Sequence, residues 1–478
     1  MRSQLALIPC LSLCVLAACV RPQAVPTARP PAATSTRTPP REVKPTNGSA
    51  GLGDVLYPQL GNGGYDVQHY TLDLSVDVES NTITATTEII ARATQTLTQF
   101  DLDLAGLSVQ QVQVNSEMAT TSRSGYELII QPAQSIASGA IFTTLVSYSG
   151  QPSALADASV GSDRIGWLTQ PNGIVVASEP SGAMSWYPNN NHPSDKATYR
   201  FRITVPKPYG VATNGLQKGM LDNGTTRTFV WEARDPIASY LTTLHINEYD
   251  VETQVGPHGL PMRNYFPKNT LAAVRTKFVD TPKMIEFIEQ RIAPYPFETY
   301  GVALITRRVD WALETQTLST FGPDGGDNDA IFHELMHQWF GNSVSPAHWR
   351  DVWLNEGFAT YFQFVWNSRD KGEPDLRATM RNWYDWMQDA RTGPAIPSKP
   401  QNMFSPAVYY RGAYTLHALH MSVGDDMFYK ILRAYYDAHK YGNASTEDFI
   451  ATAESIAGKP ARALLTAWLF DVTLPEPV

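Results

Sequence analysis

The stretch DAIFHELMHQWFGN, residues 329–342, sets two histidines and a glutamate into an otherwise apolar helical run. Each helical residue advances about 100°, so His333 and His337 lie one turn apart on nearly one face and their imidazoles can reach a common ion. Glu334 sits on the flank of that surface, where its carboxylate can touch a water on the ion without binding the ion itself. Two ligands are too few, because a catalytic zinc takes three protein ligands and keeps a fourth position open. Glu356, in WLNEGFATY, supplies a third if the chain turns within GNSVSPAHW and a second helix packs back on the first. The fold is thereby constrained to two adjoining helices, with Trp339, Phe340, Trp353 and Phe358 forming the core between them. Two neutral imidazoles and one carboxylate leave zinc a net positive charge, which acidifies water at the open position.

HELMHQWFGN followed by LNEGFATYF resembles the gluzincin metallo-aminopeptidases of the aminopeptidase N type, here as a short bacterial lipoprotein member. The resemblance spans about residues 55 to 478. It implies an N-terminal antiparallel β-sandwich or saddle domain, then a thermolysin-like α/β catalytic domain that is mostly helical towards its C-terminal end. It also implies one zinc per chain on His333, His337 and Glu356, with Glu334 as general base. The family tyrosine that stabilises the oxyanion lies two residues before a basic-Gly pair. In VYYRGAY that position is Tyr409, ahead of Arg411-Gly412, with Tyr410 as the competing neighbour.

An enzyme that trims N-terminal residues must also hold a free α-ammonium, which fixed carboxylates do through charge-assisted hydrogen bonds. The family uses a Gly-Ala-Met-Glu-Asn segment. Trp311-Ala312-Leu313-Glu314-Thr315 keeps its glutamate but carries Trp and Thr where the family has the first Gly and the Asn. A second carboxylate, from the β domain, corresponds to Glu179, with Ala177 where a glutamine is usual. The implied substrates are peptides with a free N-terminus. Two alternatives remain open: a zinc endopeptidase or other hydrolase without an amine requirement, and a non-catalytic surface-binding lipoprotein on a peptidase scaffold.

Ahead of this region the texture is different. YTLDLSVDV alternates Tyr70, Leu72, Leu74, Val76 and Val78 with polar residues, the mark of a half-buried strand. TITATTEIIARAT, YELIIQP, IFTTLVSYSG, YRFRITVP and RTFVWEA read the same way, so a β domain is expected over 55–255. Helical periodicity follows from LAAVRTKFVDTPKMIEFIEQRI onward, broken by one buried strand in YGVALI, and the zinc peptidase domain is expected over 256–478. The chain ends some 120 residues after Glu356, which leaves out the large C-terminal helical domain of longer family members, so a more open cleft that tolerates longer peptides is expected.

All three cysteines, at 10, 14 and 19, lie in the opening segment, so any metal in the body is held by His and carboxylate. Arg2 followed by a short apolar run reads as an export signal over 1–18, and Leu16-Ala17-Ala18-Cys19 resembles a lipobox. Cys19 is then lipid-modified and anchors the protein to a membrane outside the cytoplasm; secretion after cleavage is the alternative. Residues 19–54, rich in Pro, Ala, Thr and Ser, form a tether of up to roughly 100 Å. With a net charge of −9 and no Lys/Arg cluster in the body, nucleic acid is not an expected partner.

Overall fold

The computed structural model describes residues 46–478. The expected signal 1–18, Cys19 and most of the tether lie outside the described residues. The folded body begins by Thr46 rather than at residue 55. Thr46–Asn47 pairs with Leu97–Asp103, and Asp54 is buried as its carboxylate accepts the backbone N–H groups of Leu56, Tyr57 and Trp349. Trp349 and the strand Leu97–Asp103 are distant in sequence, and composition alone cannot show such partners.

Alternation builds the first long strand, β1 (Tyr65–Asp77), in which Tyr70, Leu72, Leu74 and Val76 are buried. It sits inside a sheet with β2 (Thr82–Ala93), β3 (Ser108–Val114), β4 (Ile141–Gly150), β5 (Lys196–Pro206), β6 (Leu216–Asp222) and β7 (Thr226–Ala238). The spatial order is β6-β7-β5-β1-β2-β4-β3, with Glu117–Met118 on the β3 edge. One pair departs from the antiparallel expectation: β5 runs parallel to β1, with Tyr199 beside Tyr70. A parallel neighbour needs a long crossover, and here the chain between β1 and β5 provides it. A second sheet joins Ala154–Ala156, Arg164–Gln170, Gly173–Ala177, Leu244–Asn247 and Gly210–Thr213 in that order.

The boundary expected at 255 falls inside a hairpin. Tyr249–Val255 pairs with Pro261–Pro267, which continues through parallel partners to Val302–Leu304 and Ser319–Phe321. These strands share one sheet, so the change from β domain to catalytic half comes before Tyr249. Period-two patterning looks the same in either half and does not reveal it.

The helices of the second half are α1 (Thr281–Glu289), α2 (Asn328–Met336), α3 (Trp353–Asn367), α4 (Glu373–Asp389), α5 (Gly412–Val423), α6 (Asp425–His439), α7 (Thr446–Ala457) and α8 (Lys459–Phe470). The long helix expected from Leu271 is broken: one turn at Ala272–Arg275 gives way and the helix restarts at Thr281. Pro282 sits in that new first turn, where its missing N–H leaves no helical bond unmade. A single hydrophobic core runs through both halves, from Leu56 to Leu469. Polar stitches join them as well. The Lys196 ammonium donates to the carbonyls of Asn342, Ser343 and Gly442, and Tyr240 Oη donates to the Gly341 carbonyl.

Candidate active site

Helix α2 starts where the Asp327 side chain accepts the Ala330 N–H, an N-cap that frees the next residues to wind. Ile331, Phe332, Leu335 and Met336 bury its apolar face, so His333, Glu334 and His337 turn towards a cleft. Helix α3 is buried along most of its length and lays Glu356 opposite them. Phe340 meets Phe358 at 4.4 Å between ring centres, which closes the core between the two helices.

His333 Nε2 lies 3.2 Å and His337 Nε2 3.5 Å from Glu356 Oε2. Zinc bonds of about 2.0–2.1 Å at tetrahedral angles place ligand atoms about 3.3 Å apart, so this donor set fits that ion. His337 Nδ1 donates to the Phe340 carbonyl at 3.2 Å, which leaves Nε2 as the electron-pair donor. Gly341, at φ +131°, follows this contact; a Cβ there would lie 3.2 Å from His337 Nδ1. Burial alone would raise the Glu356 pKa, but the adjacent imidazoles of His337 and His333 hold it at about 2.

Glu334, Glu314 and Glu179 line the same cleft, a cavity of about 420 Å³ that Tyr409 and Phe404 also face. Ligand atoms of Glu179, Glu314 and Glu356 all lie within 4.8 Å of one another. Glu179 Oε1 and Glu314 Oε1 are buried with no hydrogen-bond partner. Burial and then the neighbouring carboxylate charges push Glu179 well above the usual carboxylate range, and burial does the same for Glu334 against the lowering effect of His337. Burial also raises Glu314, against the lowering effect of His337. Among the described residues no Lys or Arg forms an ion pair with any of these four acids.

The segment around Glu314 is held by groups that sequence reading passed over. Gln338 Nε2 and Asn342 Nδ2, both within the opening HQWFGN, donate to the Glu314 carbonyl at 3.0 and 2.6 Å. Leu313 exchanges both backbone hydrogen bonds with Thr320. These contacts fix the backbone at Glu314 although Trp311 and Thr315 replace the residues expected there.

The two adjacent tyrosines part company. Tyr409 lies over His333 with ring centres 6.1 Å apart, facing the cleft. Tyr410 stacks on Trp383 at 3.8 Å and is a packing residue. Both sit in a widened helical turn, Ala407–Arg411, whose last residue is a fully buried arginine. Arg411 donates to the carbonyls of Trp468 and Asp471 at 2.6 Å each and of Gly393 at 3.1 Å. The first two lie at the C-terminal end of α8, where unpaired carbonyls and the helix dipole favour a cation. Gly412 then meets Gly357, the neighbour of Glu356, and a Cβ on Gly357 would come 2.9 Å from the Gly412 backbone. Glycine at both positions permits α3 and α5 to touch.

Asp351 accepts from the Thr446 N–H and hydroxyl and so caps α7. His420 bridges Tyr361 and Asp425, and His348 approaches Asp54, all away from the cleft.

Residues 66–241 match the Peptidase M1 N-terminal domain and residues 278–468 the Peptidase family M1 domain. The crystal structure of an M1 zinc metallopeptidase from Deinococcus radiodurans is similar at a TM-score of 0.84 and 30% identity, covering 90% of this chain and 99% of that one. A mutant of the same protein bound to a Tyr-Ser-Ala substrate gives 0.84 and 30% over 89% and 99%. Human glutamyl aminopeptidase is 28% identical over 331 residues, 63% of this chain and 34% of that protein. Aminopeptidase M1 of Arabidopsis thaliana is 24% identical over 327 residues, 62% and 36%. The chain thus spans about a third of the length of these curated relatives.

Proposed function

Because the chain belongs to peptidase family M1, we propose that it is a zinc aminopeptidase that removes residues from the N-terminus of peptides. The observation that carries this reading is the charge of the cleft: four buried carboxylates and two imidazoles converge at its inner end, and Arg164, which also lines the cleft, forms no ion pair with any of them among the described residues. A zinc dication on His333, His337 and Glu356, a substrate ammonium, and the proton that Glu334 takes up together neutralise those four acids. An endopeptidase would leave Glu179 and Glu314 buried without a cation.

Zinc would supply Lewis acidity towards the scissile carbonyl and the attacking water. Glu334 Oε accepts the proton of that water and hands it to the leaving amine. The Tyr409 hydroxyl donates to the oxygen on which negative charge develops. Glu314 and Glu179 accept hydrogen bonds from the α-ammonium, which places the first peptide bond, and no later one, beside Glu334. The tripeptide bound by the Deinococcus relative is in keeping with such substrates.

Hydrolysis of an aminoacyl anilide should stop on chelation, return with zinc, and fail on the N-acetylated compound. Glu334→Gln should lower kcat by about two to four orders of magnitude. Equal rates on the acetylated anilide would overturn the aminopeptidase reading. We also propose, on the Leu16-Ala17-Ala18-Cys19 pattern, that Cys19 is lipidated and holds the enzyme at a membrane outside the cytoplasm. Cys19→Ser should move the protein from the membrane fraction to the soluble one.

A further inference from the structure

The cleft does not end at the four carboxylates. Past Asp163, Arg164, Asp310 and Trp311 it opens into a second cavity of about 270 Å³, and these four residues line both spaces. The second cavity is also lined by Arg307 and Arg308, so three guanidinium groups face it against two carboxylates. All three arginines are exposed, and their side chains form no hydrogen bond or ion pair among the described residues. The loop that carries two of them is nonetheless held in place. The Thr306 N–H and hydroxyl donate to Gln170 Oε1 at 2.8 and 3.1 Å, and the same hydroxyl lies 2.9 Å from the Pro171 carbonyl.

The passage is therefore electrically graded, with an acidic inner end beside His333 and His337 and an outer arm with unengaged cations, in a chain of net charge −9. A peptide has the matching polarity, since it carries an ammonium at one end and a carboxylate at the other. Guanidinium groups bind carboxylates in paired, charge-assisted hydrogen bonds, which gives the arm a preferred ligand chemistry.

We propose that this arm binds a carboxylate of the peptide being cleaved, so that the preferred substrates are short peptides whose carboxylate reaches Arg164, Arg307 and Arg308 while the ammonium rests at Glu179 and Glu314. The inference rests on the aminopeptidase reading. Two carboxylates have the required chemistry, the C-terminal one of a short peptide and the side chain of an acidic residue.

The test compares matched peptides on the full zinc-loaded enzyme. One arm pairs tri- and tetrapeptides as free acids and as C-terminal amides; the other pairs Glu with Gln and Asp with Asn, at the first residue and at later ones. The charged member of at least one pair should be favoured by about five- to tenfold in kcat/KM, and the advantage should shrink as salt is raised. In Arg164→Gln, and in a double variant carrying Arg307→Gln and Arg308→Gln, the ratio of charged to uncharged substrate should fall towards one, the uncharged peptide serving as the reference within each variant. A dominant acid-to-amide ratio assigns the arm to the C-terminus, and a dominant Glu-to-Gln ratio to a side chain. Ratios near one in the wild-type enzyme, or ratios that persist in the variants, would overturn the inference while leaving the aminopeptidase intact. No turnover of either member of any pair would overturn both.

Discussion

At the scale of single residues, the cleft depends on side chains that are missing as well as on those present. Alanine at Gly357 would drive a Cβ to 2.9 Å from the Gly412 backbone, and neither helix can yield without moving Glu356 or Tyr409. Gly357→Ala should destabilise the fold by about 1–3 kcal/mol and lower kcat; a thermal melt beside steady-state rates would check it. Glu314→Gln keeps the shape and removes a charge, so kcat/KM on free N-termini should fall about tenfold or more, read on an aminoacyl anilide. The His333–His337 pair was legible in the sequence because a four-residue spacing is a property of the helix itself, whereas Glu356 comes from a second helix and could be matched to it only by supposing a turn in between and by the family resemblance. Gly357, Gln338 and Asn342 were not legible, because what each touches lies on another element and no local pattern marks it.

At the scale of elements, the widened turn Ala407–Arg411 is the part that most directly links packing to chemistry. Tyr410 is pinned by Trp383, Arg411 by the end of α8, and Gly412 by Gly357, which leaves Tyr409 little freedom. Arg411→Met should lower kcat about ten- to a hundredfold with a smaller change in KM, Arg411→Lys should recover part of it, and the loss should not add in full to that of Tyr409→Phe. Full additivity in that double-mutant cycle would show that the arginine serves stability alone. The existence of β1, α3, α5 and α7 was readable from periodicity. What periodicity could not supply was partnership: the parallel pairing of β5 with β1 is decided by contacts made far along the chain, the restart of α1 comes with Pro282 in its first turn, and the place of Tyr249–Val255 in the catalytic half is set by its hairpin partner Pro261–Pro267 and the strands beyond it.

At the scale of the whole molecule, the N-terminal strap is structural. Burial would raise the Asp54 pKa, but His192 and the N–H groups of Trp349, Leu56 and Tyr57 outweigh it and hold the value at about 2. Since this lies below the ordinary 3.8, the group stabilises the fold fully above about pH 4 and loses that effect as pH falls towards 2. The contribution is on the order of 2 kcal/mol. Asp54→Asn should therefore melt below the wild type at pH 7, with the gap closing as pH drops from 4 to 2; a gap that ignores pH would refute the assignment. With one core shared by both halves, calorimetry should record one unfolding transition.

The hold of Lys196 and Tyr240 on the backbone just after α2 has a dynamic consequence. Both grips act within six residues of His337, so a clamshell motion of the two lobes would have to break them. Under the proposed function, a peptide would therefore enter between lobes that keep their relative positions.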